Sequence, residues 1–236
     1  MSASKLLIRK LSKRFDTQIV LDAIDLEVPL GEHTTLIGRS GIGKSVFLKC
    51  IAGLMEPDSG TIVLDDPATP VPHCSYLFQQ NALFDSMTVF DNVGLPVREK
   101  EKISQKELKL RVEAMLEKLD LLDAAQKYPA EISGGMQKRV ALARALITQP
   151  EIILFDEPTT GLDPERKFSV FEMIRQYRQQ FGFTVIMVSH DVPEVFEISD
   201  HVAWLEGGKI AYWGPPDELM ANPPRGLSSF INPALI

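Results

Sequence analysis

Between Gly38 and Ser45 the chain reads GRSGIGKS. The residues before it, His33 to Ile37, form a short run suited to a strand, and VFLKCIAGL after it reads as a helix. Strand, glycine loop and helix in this order admit few folds. The glycines let successive backbone N–H groups turn inward around an anion, and the helix start adds the positive end of its dipole. The pattern G-x-x-x-x-G-K-[ST] is met by Gly38, Gly43, Lys44 and Ser45. Average residue usage yields such a match by chance in about one per cent of chains this long. With Arg39, Ser40, Gly41 and Ile42 inside the loop and Val46 after it, residues 38–46 are the candidate phosphate cradle. Lys44 can reach the β- and γ-phosphates as a point charge, and Ser45 can offer its hydroxyl to Mg²⁺.

Carboxylates appear where such a loop needs them. EIILFDEP places four apolar residues, Ile152 to Phe155, ahead of Asp156 and Glu157. A continuous apolar run suits a strand buried on both faces, and ligands of open parallel α/β sheets sit beyond the carboxyl ends of their strands. Asp156 is thus a candidate Mg²⁺ holder, and Glu157 is placed near an attacking water. A third such run, Thr184 to Val188, ends in SHD, so His190 falls just past a strand end. Asp191 is a candidate cap for the next helix, with Pro193 in its first turn and Glu194 three residues on.

Further strands are expected near Leu6–Leu11, Gln18–Val28, Thr61–Leu64, Tyr76–Phe78, His201–Leu205 and Lys209–Trp213. The early ones alternate in places, as half-buried antiparallel strands do. SQKE at Ser104–Glu107 reads as a capping box, and Leu108, Val112, Met115, Leu116, Leu119 and Leu122 then recur at helical spacing as core. The chain of 236 residues is therefore expected to form one domain, 1–236, with a helical insert over about 81–146. Short Pro-rich pieces at Pro67–Pro72 and Pro215–Pro224 read as loops.

Composition narrows the function. A net charge of −7 argues against broad nucleic-acid binding. No run of about eighteen apolar residues occurs, and MSASKLLIRK lacks a signal peptide's apolar core. Cys50 and Cys74 show no metal-like spacing and are expected to be reduced, as in a cytosolic protein.

A phosphate loop alone would serve a kinase, a GTPase, a motor or a transporter ATPase. Here it is followed in order by ISGGM, ILFDE, GLD and SHD. That order, over nearly the whole chain, resembles the nucleotide-binding domain of ABC transporters. The resemblance implies an α/β fold: a P-loop NTPase core with a parallel sheet, an antiparallel β subdomain and a helical subdomain. It implies ATP and Mg²⁺ as ligands. Gly38 to Ser45 correspond to the Walker A loop, Asp156 to the Walker B aspartate and Glu157 to the catalytic glutamate. Ser133, Gly134 and Gly135 correspond to the signature turn. Gly161, Leu162 and Asp163 correspond to the D-loop, and His190 to the switch histidine. Gln79, with Gln80 as the alternative, corresponds to the Q-loop glutamine at Mg²⁺ and the γ-phosphate. Phe15 falls where an aromatic ring stacks on adenine. The signature turn looks chemically empty because, in the family, it closes on the phosphate held by a second copy.

Two departures stand out. Met136 replaces the usual glutamine, and Gly60 to Gln79 is shorter than is common. Within the family, residues 77–99 (LFQQNALFDSMTVFDNVGLPVRE), ISGGM and SHDVPEVFEISDHVAWLEGGKI resemble the ATPase of Mla-type phospholipid transporters. That likeness implies a homodimer sandwiching ATP, integral-membrane permease subunits, an Mce-domain protein and a small accessory subunit. The chain would lie peripherally on the cytoplasmic face of the inner membrane, with phospholipid or another hydrophobic envelope molecule as cargo. The alternatives are a transporter of a small polar solute and, from another class, an ABC ATPase acting on nucleic acid or ribosomes. A small P-loop phosphotransferase leaves ISGGM, GLD and SHD unexplained.

Overall fold

The computed structural model describes residues 4–65, 73–224 and 226–228; the loop expected at Pro67–Pro72 lies outside them. In chain order the elements are β1 (Lys5–Phe15), β2 (Gln18–Pro29), β3 (His33–Ile37), α1 (Lys44–Ile51), β4 (Ser59–Leu64), β5 (Cys74–Leu77), α2 (Val89–Lys100), α3 (Gln105–Lys118), α4 (Gly134–Leu146), β6 (Ile152–Asp156), α5 (Pro164–Phe181), β7 (Thr184–Ser189), β8 (His201–Glu206), β9 (Lys209–Gly214) and α6 (Pro216–Ala221). Two compact units emerge, one from Met1–Cys74 with Glu151–Ile236 and the other from Ser75–Pro150. The fold is that of an α/β protein with a mixed sheet, an antiparallel β subdomain and helices.

The first unit carries two sheets. One is antiparallel, in the order β2-β1-β4, with Ile8 opposite both Leu26 and Ile62. β1 outruns the expected Leu6–Leu11 because its register shifts after Ile8, around Lys10 at φ 52°. Such a bulge lets the ladder continue to Phe15 after alternation breaks.

The other sheet runs β6-β7-β3-β8-β9 within this unit. Its first four strands are parallel, and β9 returns antiparallel to β8. Every residue of β3 and β7 is buried, as are the first four of β6, which explains the unbroken apolar runs Ile152–Phe155 and Val185–Val188; β3 buries His33, Thr34 and Thr35 beside its two apolar residues. Register decides the site. Ile37 pairs with Ser189, and Asp156 pairs with Val188. The residues that follow, Gly38, Glu157 and His190, thus leave one edge of the sheet together.

Some sequence expectations change. α6 occupies part of the Pro215–Pro224 piece expected to be a loop. Pro216 sits in the first turn, where a missing N–H costs nothing, and Leu219 anchors the helix by full burial. After β7 the chain forms a 3-10 turn, Glu194–Ile198, with Pro193 at its cap and no side-chain cap bond. Asp191 does not cap it; its buried carboxylate takes Thr159 and Lys167 instead.

In the second unit Thr88, Ser104 and Ser133 cap α2, α3 and α4 by accepting backbone N–H bonds. Leu108, Val112, Leu116 and Leu119 are buried as expected. Leu122 is not; it is 43% exposed. α3 stops at Lys118 and Asp120 turns left-handed at φ 54°, so Leu122 leaves the helical phase. β5 ends at Leu77, one residue before the expected Phe78, which is exposed. Neither Cys50 nor Cys74 is in a disulfide, and burial pushes the Cys74 thiol up to about 11.

His33 opens the central strand β3 at 1% exposure. Burial first, then the Arg178 guanidinium, holds its pKa down to about 3 from 6.5. Between those values the unfolded chain binds a proton that the folded chain refuses. Stability is therefore full above the unfolded value and falls as pH drops below it, by about 1.4 kcal/mol per pH unit. Urea midpoints should fall between pH 7.5 and 5.5, and less steeply in His33→Gln. Identical slopes in the two proteins would remove His33 as the cause.

Candidate active site

The loop after β3 is shaped by its glycines at two places. At Gly43, φ is 115° and an added Cβ would stand 2.5 Å from Val20 Cγ1. At Gly38 an added Cβ would meet the Leu205 carbonyl at 2.9 Å. Gly43 is also the N-cap of α1, so the free N–H groups of that helix open into the loop. Arg39, Ser40 and Gly41 are exposed, while Ile42, Ser45 and Val46 are half-buried.

Lys44 is 4% exposed, which a lysine tolerates only when its charge is held. Its Nζ donates to the carbonyls of Gly38 at 2.9 Å and Arg39 at 3.2 Å, and lies 3.3 Å from Glu157 Oε1. Ser45 Oγ donates to Asp156 Oδ1 at 2.7 Å. These two oxygens come from the loop and from the end of β6, and their hard donor chemistry suits Mg²⁺.

Glu157 has a left-handed backbone at φ 49°, a conformation costing a non-glycine residue on the order of 1 kcal/mol. Its N–H donates to the Val188 carbonyl at 3.1 Å, tying the turn to β7. The side chain is shared. Oε1 faces Lys44, while Oε2 accepts from Thr160 Oγ1 at 3.1 Å and stands 3.3 Å from His190 Nδ1. Thr160 lies in no motif named above, although a hydroxyl three residues beyond a strand-end carboxylate is a readable signal for such a contact. Asp163 caps α5, accepting from Arg166 N at 3.0 Å. Phe15, at the end of β1, keeps a ring 44% exposed with Lys13 Nζ 5.8 Å from its centroid.

The structure therefore gathers Lys44, Ser45, Asp156, Glu157 and His190 at one sheet edge. Gln79, Ser133, Gly134 and Gly135 belong to the second unit. Gln79 is exposed just beyond β5. Ser133 Oγ accepts from Met136 N at 3.2 Å, so Met136 serves the cap through its backbone, as any residue could. An added Cβ at Gly134 would meet nothing within 4 Å.

The family model for ABC transporters matches residues 21–160, a span from β2 through Glu157. The chain belongs to the ABC transporter family. As an ABC ATPase it binds and hydrolyses ATP. It is 39% identical over 235 residues to the intermembrane phospholipid transport ATP-binding protein MlaF of Escherichia coli K12, covering 95% of this chain and 87% of that one. It is also 39% identical to the Fe(3+) import ATP-binding protein FbpC of Escherichia coli O157:H7, over 96% of this chain and 67% of the relative. The spermidine/putrescine import protein PotA of Marinobacter nauticus is again 39% identical, with 94% and 61% covered. Among solved structures, cbiO1 of Clostridium perfringens, part of the ABC transporter complex cbiONQ, superposes with a TM-score of 0.82 at 26% identity, over 92% and 90% of the two chains.

If Lys44 meets the transferring phosphoryl group, Lys44→Ala should lower ATP hydrolysis by a factor of about 10² or more. The far-UV spectrum should be retained. Hydrolysis at the native rate would contradict the phosphate-loop assignment.

Proposed function

We propose that this ABC ATPase powers an envelope lipid transporter, as a homodimer docked on the cytoplasmic face of a permease. The observation that carries the catalytic part is the convergence of Lys44, Ser45, Asp156, Glu157 and His190 at the end of the parallel sheet. ATP lies with its phosphates in the loop of residues 38–46 and its base on Phe15. Ser45 and Asp156 would hold Mg²⁺, which when bound neutralises charge across the β- and γ-phosphates. Glu157 orients or deprotonates the attacking water for in-line displacement. Lys44 and the loop N–H groups stabilise charge on the transferring phosphoryl group, and His190 senses the γ-phosphate.

The dimer explains the signature turn. Neither Gly134 nor Gly135 has a left-handed backbone, and a Cβ at either would have room. Nothing among the described residues requires glycine at these exposed positions. Close approach of a ligand from outside would, and the γ-phosphate on a second copy fits the positive start of α4. Each ATP then bridges Lys44 of one copy and Ser133 and Gly135 of the other.

Likeness to MlaF across both chains supports the lipid cargo, together with residues 77–99 and Met136. On that reading an Mce-domain protein and a small accessory subunit complete the assembly. The equal identity to FbpC and PotA supports a second reading, import of a small polar solute. Gene neighbourhood separates them: an adjacent permease with an Mce-domain protein supports lipid, and an adjacent periplasmic solute-binding protein overturns it. No helix among the described residues is long and apolar enough to cross a membrane, so membrane attachment falls to the permease.

Docking is assigned to the turn before α2. Phe84 is 49% exposed there, while Leu83, Met87 and Phe90 are half-buried. Phe84→Asp should release the permease in co-purification and leave nucleotide binding intact. Undiminished co-purification would move the docking surface elsewhere.

Glu157→Gln keeps side-chain size but loses the carboxylate base. It should accumulate an ATP-dependent dimer or closed complex, seen by size-exclusion chromatography with light scattering. Adding Ser133→Arg should abolish it, because a bulky cation fills the partner's phosphate position. Dimers equally persistent in the double variant would defeat the shared site.

A further inference from the structure

Two adjacent threonines follow Glu157 and serve different partners. Thr160 Oγ1 donates to the Glu157 carboxylate at 3.1 Å, and its N–H closes a turn onto the Glu157 carbonyl at 3.2 Å. Thr159, 1% exposed, donates instead to Asp191 Oδ2. Asp191 is the residue after His190, and its side chain is 3% exposed. Its second oxygen takes Lys167 Nζ from α5, and its N–H donates to Ser189 Oγ at 3.0 Å. One buried carboxylate thus joins the Glu157 turn, the end of β7 and the first turns of α5.

A buried carboxylate needs partners merely to be tolerated. Two observations ask more of this one. Glu157 is held at φ 49°, which a non-glycine residue keeps only where its surroundings over-determine it. In addition, Glu157 Oε2 lies between Thr160 at 3.1 Å and His190 Nδ1 at 3.3 Å. Any slip of the turn relative to the SHD segment would separate carboxylate from imidazole. Beside the backbone bond from Glu157 N–H to the Val188 carbonyl, Asp191 is the side-chain anchor that joins the turn to the SHD segment, and Lys167 supplies the charge that lets it stay buried.

We propose that Asp191, through Thr159 and Lys167, is a positioning residue that fixes the Glu157 turn against His190 for water attack. The inference rests on the roles proposed above for Glu157 and His190. It makes Thr159 Oγ1 the link whose loss misplaces Glu157 while leaving the phosphate loop, Ser45 and Asp156 in place.

The test is steady-state hydrolysis by the full chain as wild type, Thr159→Val, Thr159→Ser and Glu157→Gln, with binding of a fluorescent ATP analogue and thermal midpoints. Valine matches threonine in size but cannot donate. In Thr159→Val, kcat should fall roughly tenfold while KM and analogue Kd stay within about twofold, the pattern of a group misplaced in the transition state. Thr159→Ser keeps the hydroxyl and should keep kcat. If Glu157→Gln abolishes hydrolysis but Thr159→Val does not lower kcat, the positioning role alone is wrong. Native hydrolysis in Glu157→Gln would instead remove the reading beneath it. A loss shared by Thr159→Ser, or one that follows the thermal midpoint across the variants, would mark a structural role and overturn the proposal.

Discussion

The buried ammonium of Lys44 is the constraint on which the first unit turns. A charge this far from water survives only with partners on every side, and these come from distant parts of the chain. Gly38 and Arg39 present carbonyls from the loop, and Glu157 presents a carboxylate from beyond β6. Satisfying Lys44 therefore fixes the loop, the end of β6 and the start of α1 together. The same arrangement readies the loop for an anion, since the groups that hold a lysine also set the distance between a cation and a strand-end carboxylate.

Much of this was legible in sequence because it depends on local patterns. The loop glycines, the apolar runs of β6 and β7, and the Ser104 cap all announce themselves within ten residues. What escaped depends on pairing between segments. Asp191 reads as a helix cap when only its neighbours are considered. Its real partners, Thr159 and Lys167, stand 32 and 24 residues away in sequence. The bulge near Lys10 and the left-handed turn at Asp120 were hidden for a different reason. Neither position carries glycine, so tertiary packing imposes a backbone that the residue type does not advertise.

The family fixes the reaction more firmly than the cargo, and physics explains the asymmetry. ATP chemistry is written into groups on this chain. Cargo is not, because an ATP-binding subunit acts on its transporter through a docking surface. Relatives named for phospholipid, ferric iron and polyamines can thus share the same 39% identity with this chain.

The side chain of Asn92 bears on the docking surface proposed at Phe84. Fully buried, it accepts from Phe84 N at 2.9 Å and donates to the carbonyls of Phe84, Met87 and Thr88 at 3.0 to 3.1 Å. One amide thereby ties down the backbone of the turn that displays Phe84, and Arg144 holds the Asn81 and Ala82 carbonyls just before it. A segment already ordered surrenders little conformational entropy when something settles on it. The ring of Phe84 has two torsions left to fix, so association draws on its apolar area with little loss to ordering. On the docking proposed above, a turn tied to α2 by the Asn92 amide would pass displacement on to that helix.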